Sequence, residues 1–415
     1  MNNSPKLNYS VYALVLLFAI NLLNYVDRQV LFAVFPLIKE ELHLSDTALG
    51  LLGSAFMFSY MTSAPLFGWL GDRWRRVKLA GLGLLLWSIA TATTGLAGKY
   101  TTLLISRATV GVGEASFGTV SPGLVSDFFP NNIRGRVISF FYLAIPVGSA
   151  FGYILGGILG QTLGWHAVFF AAALPGIVLV LPVLSLREPR LGGTETETMV
   201  STKTRSGDYL SLFRNRSFVI NTLALSSMTF ALGGLAQWMP TFLQRMHGQS
   251  VAVGNTLFGA ITVVSGIAGT LTGGWLGDMF HKKSRKAYVL VSAWGFLLGA
   301  PIAVYALLTP SLPRCLGAIF LAEFFLFLNT GPLNTVIINV TRPAIRAMAF
   351  AVNIFCIHAL GDAISPAILG RLSDLWGLRF SLLITPLAIL LASLLSFLCS
   401  GFIEQDSTDV AARNV

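Results

Sequence analysis

Charge is what this sequence lacks. Aspartate, glutamate, lysine and arginine together make up 11% of its 415 residues, against roughly a quarter in an ordinary soluble domain. That scarcity excludes a soluble globular protein, a disordered chain and a coiled coil, all of which need a more polar surface. Cysteine is as sparse: Cys315, Cys356 and Cys399 are scattered in or beside apolar runs, which excludes a disulfide framework and a cysteine metal site. There is no Gly-x-x-x-x-Gly-Lys-Ser/Thr loop, no nucleophile–base pair and no metal-ligand set, so the chain is read as neither an ATPase nor an enzyme, with no cofactor and no metal. The basic excess, 28 lysines and arginines over 18 acids, lies beside apolar runs. There it sets topology and does not mark a nucleic-acid partner. The first apolar run holds Asp27 and no small-residue cleavage site follows it, unlike a cleavable signal.

What is there is apolar: 54% of residues, with a mean hydropathy of +0.72. These residues gather at 11–37, 47–70, 79–98, 102–129, 135–160, 166–186, 217–243, 252–277, 287–308, 315–340, 345–369 and 379–402. Runs near ~20 residues fit membrane-crossing helices, whereas barrel strands would be about half as long and alternating. The fold class read from this is an all-α membrane protein. Its twelve transmembrane helices form two bundles of six, at 1–186 and 217–402, with a cytoplasmic linker at 187–216 and a tail at 403–415.

Orientation follows from the basic residues in the connections. With both termini in the cytoplasm, twenty of the 28 fall on the inner side, Arg73, Arg75, Arg76, Lys78, Lys203, Lys282 and Lys283 among them. Six fall outside (Lys39, Lys99, Arg245, Arg314, Arg371 and Arg379), and Arg28 and Arg107 lie within spans. The halves also repeat: Gly68-Trp69-Leu70-Gly71-Asp72 returns as Gly274-Trp275-Leu276-Gly277-Asp278 at the ends of the second and eighth spans. A repeat with the same sense at matching positions means two parallel halves.

Four groups of residues carry candidate chemistry. The loop Gly68, Asp72, Arg73, Arg76, with its copy at Asp278, reads as a conformational latch: glycines permit close approach, and the aspartate can cap a helix or pair with a base. Gly148, Gly152 and Gly156 in the fifth span make a smooth stripe for helix packing. Asp27, Arg28, Arg107 and Glu114 lie within the first and fourth spans. An unpaired charge there costs at least ~2.5–3.5 kcal/mol, so they should face one another or water. Asp27, Arg107 and Glu114 are therefore expected to form one cluster. One arginine cannot balance two carboxylates, so Glu114, ahead of Asp27, is the expected proton carrier. In the second half Glu323, His358 and Asp362 are the ionisable set, with His358 and Asp362 one turn apart and His358 a candidate pH sensor. Gln237, Asn329, Asn334 and Asn353 are polar residues able to reach a cavity.

The run Asn24-Tyr25-Val26-Asp27-Arg28, the stretch Arg107 to Ser116, and Phe141 to Ser149 with Gly152-Tyr153 resemble the Spinster branch of the major facilitator superfamily, densely from about 20 to 160. Two departures from the superfamily's general pattern stand out. Arg75 replaces the glycine after the Asp-Arg pair, and Tyr153, a residue this branch shows, replaces a proline. The resemblance implies a monomeric proton-linked carrier of single-chain lipids, lysophospholipids or phosphorylated sphingoid bases, working by alternating access. Its partners would be the bilayer, an amphiphilic lipid and protons. Its short tails suggest a bacterial member in the inner (cell) membrane. It also implies that the glycine stripe lies where the halves meet. The resemblance puts Asp27, Arg28, Arg107 and Glu114 on the branch's polar cluster and His358 on its histidine of the eleventh span; proton coupling is expected of Asp27, Glu114, Arg107 and His358, and substrate binding of Arg28, Tyr25, Arg107, Glu114, Gln237, Glu323 and Asn329. A carrier of small organic anions is the alternative, and a non-transporting membrane receptor a more distant one. The absence of a mid-span Lys or Arg in the second half favours lipid.

The charge asymmetry makes a direct prediction. Cysteines placed at Lys203 and Lys283 should react only with a reagent admitted to the cytoplasmic side, and one at Lys99 only from outside. Labelling of Lys203→Cys by an impermeant maleimide in intact cells would overturn the arrangement.

Overall fold

The computed structural model describes residues 7–189, 212–342 and 345–412, and among these every regular element is a helix. Most of the expected linker, with Lys203, lies outside the described residues. Ten helices or helix pairs are long and apolar enough to span a bilayer. Two more, α3 (Asp46–Gly71) and α5 (Tyr100–Phe128), are 26 and 29 residues long, ample for a 30 Å core at 1.5 Å per residue. The twelve spans expected from the sequence are thus all helical.

Five of them are not single helices, and proline explains each break. The first span divides into α1 (Leu7–Ala33) and α2 (Phe35–Leu42), with Pro36 in the first turn of the second piece. The fifth divides into α6 (Asn131–Tyr142) and α7 (Ala144–Leu163) before Pro146. Between them come α4 (Arg76–Gly95) and α5, and after them α8 (Trp165–Leu184). In the second half α9 (Arg216–His247), α10 (Val251–His281) and α11 (Ala287–Leu308) run unbroken. The next span splits into α12 (Leu312–Phe327) and α13 (Pro332–Val340), and the one after it into α14 (Arg346–Ile357), a π-helical turn His358–Asp362 and α15 (Ser365–Trp376), which starts at Pro366. The last comprises α16 (Leu378–Leu382) and α17 (Ile384–Ser400) around Pro386, and α18 (Ile403–Ala412) follows. Proline has no N–H to give the preceding turn and its ring clashes there, so it is accommodated in the first turn of a new helix.

The chain sorts into two compact units. Unit 1 is Met1–Met199 with Leu243–Gly259, and unit 2 is Val200–Phe242 with Ala260–Val415. By the repeat, Leu243–Gly259 belongs to the second bundle, yet it packs in unit 1. Arg245 forks onto Asp46 at 2.6 and 2.8 Å, Asn255 donates to the Ala33 carbonyl at 3.0 Å, and the Ala252 N–H donates to Gln161 at 2.9 Å. Tyr153 meets Phe258 edge-on at 5.1 Å.

Inside unit 1 the glycine stripe of α7 packs against α1. A methyl added at Gly148 would sit 2.6 Å from the Leu22 carbonyl, one at Gly152 2.7 Å from that of Val26, and one at Gly156 2.6 Å from Ala33 Cβ. The stripe therefore builds the first unit from within, where the resemblance implied a boundary between halves; Gly157, one residue on, is the one that meets Val251–Asn255. Unit 2 has a core of Phe218, Leu225, Phe296, Leu326, Ile337 and Ile389 from α9, α11, α12, α13 and α17. Leucines on the outer surface, such as Leu163, Leu181 and Leu271, are two-thirds or more exposed. So apolar a surface suits lipid and not water.

Each unit is also tied at one end by the stretch that follows its last span. In unit 1 Glu188 accepts from the Arg76 and Val77 N–H groups at 3.1 and 3.0 Å, capping α4, while the Arg187 N–H donates to the Tyr9 hydroxyl near the start of α1 at 2.7 Å. In unit 2 Asp406 accepts from the Ser217 N–H at 2.8 Å at the start of α9, and Glu404 pairs with Lys286, the residue before α11, at 3.6 Å.

Overpacking the glycine stripe should cost about 1–3 kcal/mol. Gly152→Leu is expected to lower the midpoint of thermal unfolding in detergent by several degrees, and Gly98→Leu, where a side chain meets nothing within 4 Å, to leave it unchanged. Equal midpoints would show that α1 and α7 tolerate separation.

Candidate functional site

The first-half charges do come together, but as two crossed pairs. Asp27 and Arg28, adjacent on α1, point about 100° apart, so each meets a different residue of α5. Arg107 Nη1 lies 3.3 Å from Asp27 Oδ1, and Arg28 Nε donates to Glu114 Oε2 at 2.7 Å. Thr91 on α4 donates its hydroxyl to the second oxygen of Asp27. Asp27, Arg107 and Glu114 are all buried.

This corrects the expected balance. Arg28, expected as a substrate contact, supplies the second arginine of the set; with Arg28 paired, the four charges cancel. The seven-residue spacing of Arg107 and Glu114 gives each carboxylate a guanidinium from the opposite helix, so neither shares one. The set is still not saturated: among the described residues Glu114 Oε1 and Arg107 Nε have no hydrogen-bond partner.

Aromatic rings complete the arrangement. The Arg28 guanidinium sits 5.0 Å from the ring centres of Tyr25, Phe56 and Tyr60, and Arg107 lies 5.2 Å from Phe56, so one ring serves both cations. Such contacts stabilise a desolvated guanidinium by up to about 2 kcal/mol each. Of the four charged side chains Arg28 is the most open, 16% exposed against 0% for Glu114.

The expected second-half residues do not form one cluster. His358 Nδ1 is 2.9 Å from Asp362 Oδ1, as the one-turn spacing suggested, but across a π-helical turn whose Gly361 leaves helical geometry. Such turns recur at functional sites. Gln237 is fully buried on α9, and Asn329 and Asn334 bond within their own helix turns to Leu326 and Thr330. The Asn353 side-chain oxygen is buried with no partner among the described residues. Both Glu323 oxygens are engaged by hydroxyls of α10.

The loop after α3 differs from the expected latch. Asp72 is exposed and its carboxylate has no hydrogen-bond or ion-pair partner among the described residues. Arg73 lies on the Trp69 ring at 4.4 Å. The bridging falls to Arg76, which pairs with Asp127 at the end of α5 at 2.7 Å and with Glu188 at 3.3 Å. In the second copy Asp278 accepts from the Tyr288 hydroxyl at 2.8 Å.

Sequence reasoning missed Thr91, Phe56, Tyr60, Asp127 and Glu188. Nothing in the run Ala90 to Thr94 distinguishes Thr91 from its neighbours, and only a shared fold brings Arg76 to residues 51 and 112 positions away. A cleft of about 660 Å³ opens in unit 1, lined by Pro36, Lys39, His43, Gln244 and Arg245 among others, and none of the expected site residues lines it.

The description Major Facilitator Superfamily matches residues 17–366. The chain belongs to that superfamily. Within it the Spinster branch is shown by similarity to protein spinster homolog 1 of Xenopus tropicalis, 36% identical over 88% of this chain and 73% of the relative. The sphingosine-1-phosphate transporter SPNS2 of Danio rerio is 34% identical over 95% of this chain and 84% of its own length. The fold of this superfamily member also matches the crystal structure of a bacterial homolog to the human lysosomal transporter Spinster, inward-facing and unoccupied. The TM-score is 0.89 and the identity 24%, over 97% of this chain and 99% of the other.

The crossed pairs predict a pattern of instability. Arg107→Met strands the buried Asp27 and should cost about 3–5 kcal/mol, seen as a lowered unfolding midpoint, and Asp27→Asn/Arg107→Met should recover most of it. A double variant no more stable than the single one would rule the pair out. At the loop, Arg76→Ala should destabilise more than Asp72→Ala.

Proposed function

We propose that this superfamily transporter is a proton-coupled carrier of single-chain lipids with phosphate or zwitterionic head groups, driven by protonation of the buried charges of unit 1. The observation that carries the reading is the Arg28–Glu114 pair: a fully buried carboxylate with one free oxygen holds the one partly exposed cation of the quartet. With Glu114 ionised the four charges cancel, and Arg28 is held. A proton on Glu114 leaves a net +1 and frees Arg28, whose guanidinium can then fork onto a phosphate. Protonation and head-group binding therefore favour each other, as coupling between two sites requires. The similarity to a protein named a sphingosine-1-phosphate transporter supports a lipid with such a head group.

The same reading places the chain in a bacterial cell membrane with both termini in the cytoplasm, acting as a monomer by alternating access, with His358 a secondary pH-responsive group beside Asp362. The absence of a mid-span Lys or Arg in the second half argues against small organic anions.

The sign of the pH effect follows. Binding of a lysophospholipid should tighten as pH falls from about 8 to 5. Glu114→Gln, which mimics the protonated acid, should bind tightly and without pH dependence, and Arg28→Ala should lose binding throughout. The test is binding and pH-jump transport in liposomes with a lysophospholipid panel and an organic-anion control. Spin-label distances between the cytoplasmic rims provide the conformational readout. If Asp27→Asn/Glu114→Gln still responds to pH like the parent, the quartet is structural and His358 becomes the candidate. Uptake of the anion control alone would favour the other substrate class.

A further inference from the structure

Unit 2 holds a buried carboxylate that the reading above does not use. Glu323 on α12 is 7% exposed, and its only polar partners among the described residues are two hydroxyls of α10: Thr262 Oγ1 at 3.0 Å from Oε1 and Ser265 Oγ at 2.8 Å from Oε2. Among the described residues it has no counter-charge. Two helices pack against α12 here, α10 carrying Asp278 and His281 and α11 carrying Tyr288 and Tyr305, while α12 itself carries Arg314 and Cys315; none of these is hydrogen-bonded or ion-paired to Glu323. The surrounding backbones are close. A methyl at Gly269 of α10 would lie 2.4 Å from the Phe324 carbonyl, and one at Gly295 of α11 2.8 Å from that of Phe325.

Counting hydrogens decides the form of this acid. Ser265 Oγ stands 2.8 Å from Glu323 Oε2 and also 2.8 Å from the Ile261 carbonyl. A hydroxyl has one hydrogen to give and two lone pairs to receive with. Both neighbours are pure acceptors when the carboxylate is ionised, so one short oxygen–oxygen contact would then hold no hydrogen. With a proton on Oε2 every contact of 3.0 Å or less is satisfied: Oε2–H donates to Ser265, Ser265 donates to Ile261, and Thr262 donates to Oε1. An ionised carboxylate without a counter-charge is also costly inside a bilayer.

We propose that Glu323, with Thr262 and Ser265, is a proton-binding site of the second half, separate from the charge quartet of unit 1 and carried as the neutral acid when α10 and α12 are packed as here. It requires no particular substrate. Unlike the quartet, where a proton frees an arginine, this site trades a proton against the approach of two helices: parting α10 from α12 removes both hydroxyls and admits water, which stabilises the ion.

Infrared spectroscopy of the protein in lipid nanodiscs near neutral pH tests this. A carboxylic-acid C=O band is expected in the parent and in Asp27→Asn/Glu114→Gln, but lost in Glu323→Gln. Ser265→Ala and Thr262→Val should each shift that band, which keeps the test open should Glu323→Gln fail to fold. A Glu323→Gln spectrum that superimposes on the parent, or a band unmoved in both hydroxyl variants, would overturn the proposal. So would loss of the parent band on adding sodium chloride, since a metal ion would then be the ligand. Because the unit 1 double variant retains this band, failure of the quartet reading leaves the outcome unaffected.

Discussion

Two arginines and two carboxylates on neighbouring helices, all but Arg28 buried, constrain the first half of this protein. None of the four can be removed alone without stranding a charge where water is scarce, so α1 and α5 must keep one register in which Asp27 meets Arg107 and Arg28 meets Glu114. The neighbouring elements serve that register. The glycines of α7 let it press onto α1 along the helix that carries Asp27, α4 supplies Thr91, and α3 supplies the ring that both guanidiniums share. Polarity that would weaken an ordinary membrane helix is here the means of holding three helices to a fourth.

Much of this was legible in the sequence. Span number, the half-length repeat, the stripe of small residues and the buried charges all follow from periodicity and from the cost of charge in lipid. The pairing was not. One-residue steps around a helix separate Asp27 from Arg28 by direction, and only packing decides which neighbour each finds; the expected cluster gains Arg28 as a fourth member for that reason. The helix breaks fall at Pro36, Pro146, Pro332, Pro366 and Pro386, but Pro65, Pro122, Pro240 and Pro301 sit inside unbroken helices, so proline alone does not tell which spans divide. The partners of the latch residue Arg76 were not legible because a repeated motif identifies a loop, whereas those partners come from the ends of the fourth and sixth spans, 51 and 112 residues away.

The second half solves the problem of buried charge differently. Where the first half matches ion with ion, Glu323 relies on hydroxyls one turn apart on α10, and His358 on a carboxylate across a π-helical turn. The two halves share a chain trace and a loop motif, but not the means of carrying polarity. After a duplication only what the backbone requires has to stay alike.

The carboxylates that tie each unit beyond its last span show where the repeat divides the chain. Glu188 and Glu404 both lie just past the last span of their half, and both reach back to the helix that opens its third span. Each six-span segment therefore carries its own fastening, contributed by the residues that leave it. A coexpressed split protein nicked after Glu188 and before Asn215 would keep both fastenings. A fusion tag replacing the chain from Ile403 onward would leave the second bundle untied, although every membrane-crossing residue was still in place.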